Sequence, residues 1–277
     1  MVAGVDSSTQ STKVEFRRVD DGTVVGAGRA AHPPTTPPIS EQEPESWWGA
    51  LTQAWEQASA EGADPLAVSV AGQQHGMVAL DDDRRVIRPA KLWNDTESAP
   101  DATWLVKNVP GGAKGLAEAT GSVPVAAFTV TKLSWLHRSE PEAWARMAHV
   151  LLPHDWLTMR LTGEMTTDRG DASGTGYFDP VENRYVESVL RAVDADRDWS
   201  TVTPRVLAPT ESAGEWEGRL VGPGTGDNMA AALGMALAPG DVAMSIGTSG
   251  TVYACTEVAA HDPSGAVAGF ADATGRF

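Results

Sequence analysis

Apolar positions come in short runs over the first thirty residues. Val2–Val5 is apolar, Ser7–Ser11 is small and polar, and Lys13–Arg18 sets Val14 and Phe16 between polar neighbours with a period of two. Asp20-Asp21-Gly22 marks a turn, and Thr23–Ala30 is rich in Val, Gly and Ala. This pattern predicts an antiparallel meander. His32–Pro38 holds four prolines and predicts an extended link. The period then changes. Trp47, Trp48, Leu51, Trp55 and Ala58 follow helical spacing, and Pro44 suits the first turn of that helix. Its tryptophans serve as a core-facing stripe or as a sugar-stacking surface, the stripe being the plainer reading.

Leu66–Ala71 is a β-rich run that ends in Gly72-Gln73-Gln74-His75-Gly76. Met77–Leu80 and Arg85–Arg88 flank Asp81-Asp82-Asp83 and predict a hairpin. Helical signals dominate from Ala99 to Gly163, with Val130, Leu133 and Leu136 on one helix. Within that stretch Val150–Leu152 reads as a brief strand, and Pro153 and Gly163 bound a helix. Asp168–Asp179 reads as a Gly/Asp/Ser loop with a helical turn at most. Residues 214–228 are glycine-rich, Met229–Leu237 reads as an alanine-rich helix, and Pro239-Gly240-Asp241 breaks it. Val242–Ile246, a turn at Gly247–Gly250, and Thr251–Thr256 repeat the strand–loop–strand device of the N-terminus.

Composition narrows the class. The 277 residues, 42% hydrophobic and 21% charged, suit one large globular domain or two ordinary ones. Lys+Arg 21 against Asp+Glu 37 leaves a net charge of −16. Such an acid excess argues against nucleic acid or an anionic membrane as the partner. It is compatible with a phosphate-bearing small ligand, which backbone N–H groups and a metal ion can hold locally. The single cysteine, Cys255, excludes an internal disulfide. No apolar run approaches ~20 residues, and the N-terminus shows no signal-peptide succession. A cytoplasmic enzyme is the expectation.

Five segments could carry chemistry. In Asp6-Ser7-Ser8-Thr9-Gln10-Ser11-Thr12-Lys13 an aspartate leaves a strand and hydroxyl residues and a lysine follow. That is an ordinary polar turn, or a loop that cradles phosphate beside a hydrated Mg²⁺. Neither a Walker A nor a dinucleotide fingerprint is present. Ser245–Thr251, with Thr248 and Ser249, is a second loop of the same character between β-runs. Asp227 stands just before an alanine-rich helix as a cap or as a general base. Gln74 and His75 are either structural or suited to a polyhydroxy ligand. Trp93, in Trp93-Asn94-Asp95, is either a packed ring or a sugar-facing wall. The six histidines show no metal-binding spacing, and no serine-hydrolase pentapeptide occurs.

Taken in order, these segments resemble the FGGY carbohydrate kinases. The match covers Asp6–Lys13, Glu41–Trp48, Ala71–Gly76, Leu92–Asp95, Phe128–Trp135, Leu151–Glu164, Asp171–Thr175, Gly226-Asp227-Asn228 and Ser245–Gly250. The resemblance implies an α/β, ribonuclease H-like (actin-like ATPase) domain, a mixed sheet with helices on both faces, followed by the opening strands of a second similar domain. It places a sugar-binding domain at 1–238 and the start of a nucleotide-binding domain at 239–277. It implies ATP-dependent phosphorylation of a ketopentose, D-xylulose above all, with ATP and Mg²⁺ and with Asp227 as the base. Gln74, His75, Asn228 and Trp93 would bind the sugar. Thr9, Gln10, Lys13, Thr248 and Ser249 would meet the phosphates, and Asp6 would meet Mg²⁺ through water. The implied partners are a sugar and ATP, with no nucleic acid or membrane, and a homodimer. The alternatives are a sugar-binding module without kinase activity, or a kinase for glycerol, gluconate or ribulose. Glu97 departs from the pattern, since a basic residue often follows that tryptophan segment in the family.

Overall fold

The computed structural model describes residues 1–60, 62–246 and 250–277. The N-terminal meander is present as β1 (Val2–Ser7), β2 (Ser11–Arg17) and β3 (Val24–Ala31), paired antiparallel in that order. After the short strand β4 (Glu41–Gln42) and the helix α1 (Pro44–Ala58), the strand β5 (Ala67–Gly72) lies parallel to β1. Arg219–Val221 and Thr225–Gly226 extend the sheet parallel to β5, and Gly214–Trp216 pairs antiparallel at the edge. The sheet is therefore mixed and seven-stranded.

Alternation sets which face is covered. Ala3, Val5, Val14, Phe16, Val68 and Val70 are buried under Trp47, Leu51, Ala54, Trp156 and Leu157. These come from α1 and from the helix Pro153–Thr162. The tryptophan stripe is thus core: Trp47 is buried edge-on to Trp156, and Trp55 packs against Phe16 and Trp216. Gly4, Lys13 and Ser69 on the opposite face are exposed, so the helices α1 and Pro153–Thr162 share one face of the sheet. A second core gathers Leu105, Leu116, Phe128, Val130, Leu133, Leu136, Trp144, Val189 and Trp199 from the helical stretch.

Two local expectations change. Val78–Leu80 and Arg85–Arg88 form no ladder: Asp81 N to Arg85 O and Ile87 N to Ala79 O close a single antiparallel bridge, Leu80–Val86, and the strand's ladder is with His149–Leu151. A three-residue strand finds its partner through tertiary packing, which local pattern does not encode. The alanine-rich helix runs Asp227–Gly234, so Asp227 is its first residue and Gly226 is its N-cap. The second strand–loop–strand device is present as Val242–Ile246 paired antiparallel with Gly250–Ala254. Thr248 and Ser249 lie outside the described residues. Beyond the hairpin the chain returns to the body. Gly269 N donates to Gly121 O at 2.9 Å, and Ala271 N to Ser173 Oγ at 2.9 Å.

Candidate active site

The parallel strands β1, β5 and Thr225–Gly226 point their C-terminal ends the same way, and the candidate residues leave from those ends. Asp6 stands opposite Lys13 in the β1–β2 register, and Lys13 Nζ donates to Asp6 Oδ2 at 2.8 Å. Its other oxygen accepts no hydrogen bond among the described residues. Thr9 is a junction: its Oγ1 donates to Gln73 Oε1 at 3.1 Å and accepts from Trp93 Nε1 at 2.9 Å. Trp93 is thereby tied to the first loop with its ring partly exposed. Gln10 contributes its carbonyl to His32 N at 2.8 Å, and its side chain is exposed.

Past β5 the chain turns sharply. His75 adopts a φ of 63°, a left-handed conformation that is uncommon outside glycine and is often held at functional sites. Its Nδ1 lies 2.6 Å from the Gly174 carbonyl, so Nδ1 carries the proton and donates. The ring stacks on Phe128 at 5.0 Å and lies 5.8 Å from Phe270. Burial, then the nearby Lys132 charge, lowers the His75 pKa to about 4, so the imidazole is neutral at pH 7 and Nε2 is an acceptor. Lys132 itself is buried and donates to the carbonyls of Ala126, Ala127 and Phe128, fixing the loop that carries Phe128. Burial depresses its pKa to about 7.

Gln74 Oε1 accepts from Asn228 Nδ2 at 2.8 Å, which joins the end of β5 to the first turn of the helix Asp227–Gly234. Asp227 does not cap that helix; its Oδ1 accepts from the N–H of Asn228 at 2.9 Å. Burial raises the Asp227 carboxyl to about 7, and the charges of Asp171 and Asp6 add to the effect. A cleft of about 520 Å³ opens beside it, lined by Gln74, Asn228, Met229, Tyr253 and Phe270. A half-buried carboxyl poised near neutrality, beside amides and a neutral imidazole, can take a proton from a hydroxyl that those groups orient.

Asp6, Asp171 and Asp227 are therefore electrostatic neighbours, and Gln74, His75 and Asn228 gather at the same strand ends. Trp93 and Gln10 make no hydrogen bond to Asp227 or Asn228 among the described residues. Glu97 pairs with Lys91 Nζ at 2.6 Å, and Asp95 and Glu41 each lie 3.0 Å from the same ammonium. Those three acids could have held a metal, but Lys91 already fills the space between them. Burial opposes the Lys91 charge, and the hydrogen bonds to Glu97, Asp95 and Glu41 outweigh it and raise the pKa. Phe128, Lys132 and Asp171 fall in segments that carry the family resemblance, Phe128–Trp135 and Asp171–Thr175, but sequence reading gave them no role of their own. A lysine in an otherwise apolar helical stripe, as in Val130–Leu136, is the one local sign that a buried cation stands there.

The chain matches the N-terminal domain of the FGGY family of carbohydrate kinases over residues 1–234. It is 50% identical over 284 residues to a xylulose kinase of Streptomyces rubiginosus, covering 99% of this chain and 58% of that protein. It is 36% identical to a xylulose kinase of Escherichia coli, again covering 99% of this chain and 58% of that protein. The crystal structure of xylulose kinase from Bifidobacterium adolescentis superposes with a TM-score of 0.91 at 39% identity, covering 99% of this chain and 63% of that one. The chain thus spans about 58% of the length of these curated relatives. With the domain match, the identities and the superposition in agreement, the chain belongs to the FGGY family of carbohydrate kinases.

Proposed function

We propose that these residues form the sugar-binding part of an ATP-dependent kinase that converts D-xylulose to D-xylulose 5-phosphate. The observation that carries this reading is Asp227, raised to about 7 and set beside the Gln74–Asn228 pair. Gln74, His75 and Asn228 bind the ketopentose, and His75 accepts from a sugar hydroxyl through Nε2. Trp93 supplies a partly exposed ring at the edge of the site. Asp227 takes the proton of the 5-hydroxyl as its oxygen bonds to the γ-phosphorus of ATP and the bond from that phosphorus to the β–γ bridging oxygen breaks. Residues 1–238 are the sugar-binding domain and 239–277 the start of a nucleotide-binding one. Thr9, Gln10 and Lys13, with Thr248 and Ser249, face the phosphates. The reading also places the enzyme in the cytoplasm, where ATP is supplied, and as a homodimer.

A magnesium ion fits Asp6, whose second oxygen has no partner among the described residues and whose charge adds to that of Asp171 and Asp227. Asp6 would hold it through water, and the ion would neutralise phosphate charge. The chain's own contribution is to orient the sugar and hold the proton at Asp227.

The test uses the full-length protein that contains these residues. D-xylulose and MgATP are turned over, and Asp227→Ala lowers kcat by ~10²-fold or more while sugar binding persists. Full turnover in that variant rejects the base assignment. A panel of glycerol, gluconate and ribulose separates D-xylulose from the other substrates. The 58% span favours a second reading for the 277 residues by themselves: a sugar-binding module. Calorimetry with D-xylulose and then with ATP distinguishes the two.

A further inference from the structure

Behind Gln74 lies a buried group of ionisable side chains, of which Asp171 also raises the Asp227 carboxyl. His154, in the first turn of the helix Pro153–Thr162, is fully buried. Its Nδ1 lies 2.7 Å from Asp171 Oδ2, and its Nε2 lies 3.1 Å from Asp155 Oδ1 and 3.7 Å from Asp168 Oδ1. A ring nitrogen without a proton would set its lone pair against a carboxylate oxygen at either position. Nδ1 donates to Asp171, Nε2 makes no hydrogen bond among the described residues, and the acidic groups within 3.7 Å of the ring favour the imidazolium, although burial raises Asp155 to about 7.

Two of those carboxylates are committed to the fold. Asp155 accepts from Leu152 N at 2.8 Å. Asp168 accepts from the N–H groups of Gly170 and Asp171 and from Thr225 Oγ1. Among the described residues the buried atoms Asp171 Oδ1, Asp155 Oδ1 and Gln74 Nε2 have no hydrogen-bond partner; of the two carboxylates, Asp171 is the one whose charge the Gln74 amide meets. The Gln74 amide stands close enough to Asp171 to lower its pKa, as His154 does, but burial outweighs both and the carboxyl is raised overall. The other end of that amide accepts from Asn228. An ionised Asp171 can face only the amide nitrogen, whereas a protonated one could donate to the amide oxygen and let the group turn over.

Three glycine backbones pack closely against these two side chains. A Cβ on Gly72 would come within 2.7 Å of His154 Cβ, and one on Gly224 within 2.5 Å of His154 Cδ2. A Cβ on Gly226 would come within 2.7 Å of Gln74 Cγ.

We propose that His154 is a positioning residue: a permanent imidazolium that keeps Asp171 ionised and so locks the Gln74 amide with its nitrogen toward Asp171 and its oxygen toward Asn228. Its consequence for sugar binding rests on the function proposed above. The groups that face the cluster are Asp155 on the same helix, Asp168, Asp171, the Gln74 amide, and Tyr177, whose hydroxyl burial keeps neutral. Burial alone would discharge His154, but Asp155, Asp171 and Asp168 outweigh it and raise its pKa to about 10.

The test is nuclear magnetic resonance on the 277-residue chain with labelled histidine and labelled side-chain amides. Both His154 nitrogens are protonated at pH 7 and stay so to about pH 9. In His154→Gln the Gln74 and Asn228 amide signals move at pH 7, and D-xylulose affinity falls ~10-fold. Both recover as the pH is raised, because Asp171 now ionises only at higher pH. His154→Lys, which restores a cation, restores the signals. A neutral His154 in the folded wild-type chain at pH 7, or amide signals unmoved in folded His154→Gln, overturns the proposal. Should His154→Gln fail to fold, the wild-type titration still decides, and Asp171→Asn must move the Gln74 signal. A chain that binds no ketopentose but shows the imidazolium and the amide response upholds the lock and removes the sugar reading.

Discussion

Asp227 owes its chemistry to its surroundings rather than to its place at a helix start. An aspartate just before an alanine-rich run invites a capping role, but Gly226 takes the cap position and Asp227 is the first residue of the helix, next to Asn228, which lines the cleft. Burial first, and the charges of Asp171 and Asp6 second, raise its carboxyl to about 7. A general base acts in its ionised form. Below pH 7 the carboxyl is mostly protonated, so kcat/KM of the full-length enzyme should rise with pH about a midpoint near 7 and fall by ~10-fold per unit well below it. A pH–rate profile with D-xylulose checks this, and a flat profile between pH 5.5 and 8.5 contradicts it. His75 behaves in the opposite sense. Its pKa lies at about 4, so it stays neutral through that range and adds no step of its own.

At the scale of elements, α1 against β3 shows how tightly the sheet is roofed. A Cβ on Gly28 would lie 2.0 Å from the Ala54 carbonyl oxygen, and one on Gly26 would lie 2.1 Å from that of Ala58. The helix backbone rests directly on the strand. Gly28→Ala should therefore force α1 outward and lower stability by about 1–3 kcal/mol in urea unfolding. Gly49, inside α1, has open space at the same position. Gly49→Ala should raise stability by about 0.5–1 kcal/mol, through helix propensity alone. The α1 stripe was legible because Trp47, Trp48, Leu51, Trp55 and Ala58 fall at helical spacing; Ala50 and Ala54 complete its buried face. The glycines of β3 were legible as strand composition but not as a seat for a helix, because what they face lies elsewhere in the chain. The same limit hid the His154 group. His154 and Asp155 come from one helix and Asp168 and Asp171 from the next segment, and only folding makes them neighbours. Gln74 and His75 stood out because they follow a β-run in a short polar motif, and Asp227 because it stands between a glycine-rich approach and an alanine-rich helix.

At the scale of the whole molecule, two hairpins built on one local pattern meet different fates. In β1–β2, Val5 and Val14 are buried because α1 and the helix Pro153–Thr162 lie over them. In the hairpin of Val242–Ile246 and Gly250–Ala254, Val242 is 65% exposed, Met244 65%, Ile246 80% and Val252 61%. Its two strands pair with each other and with no further strand among the described residues. Free strand edges carrying apolar side chains invite pairing with another chain. The net charge of −16 opposes such contact, and salt screens that repulsion. The 277-residue chain should therefore self-associate in light scattering, and more so at 0.3 M than at 0.02 M salt by roughly the change in screening length. Met244 and Val252 face each other across the hairpin. Met244→Glu with Val252→Lys keeps a favourable cross-strand pair while removing the apolar patch. That double variant should scatter as a 29.1 kDa monomer at both salt concentrations. A wild-type chain that is already monomeric at the higher salt would mean that the hairpin edges do not recruit a second copy.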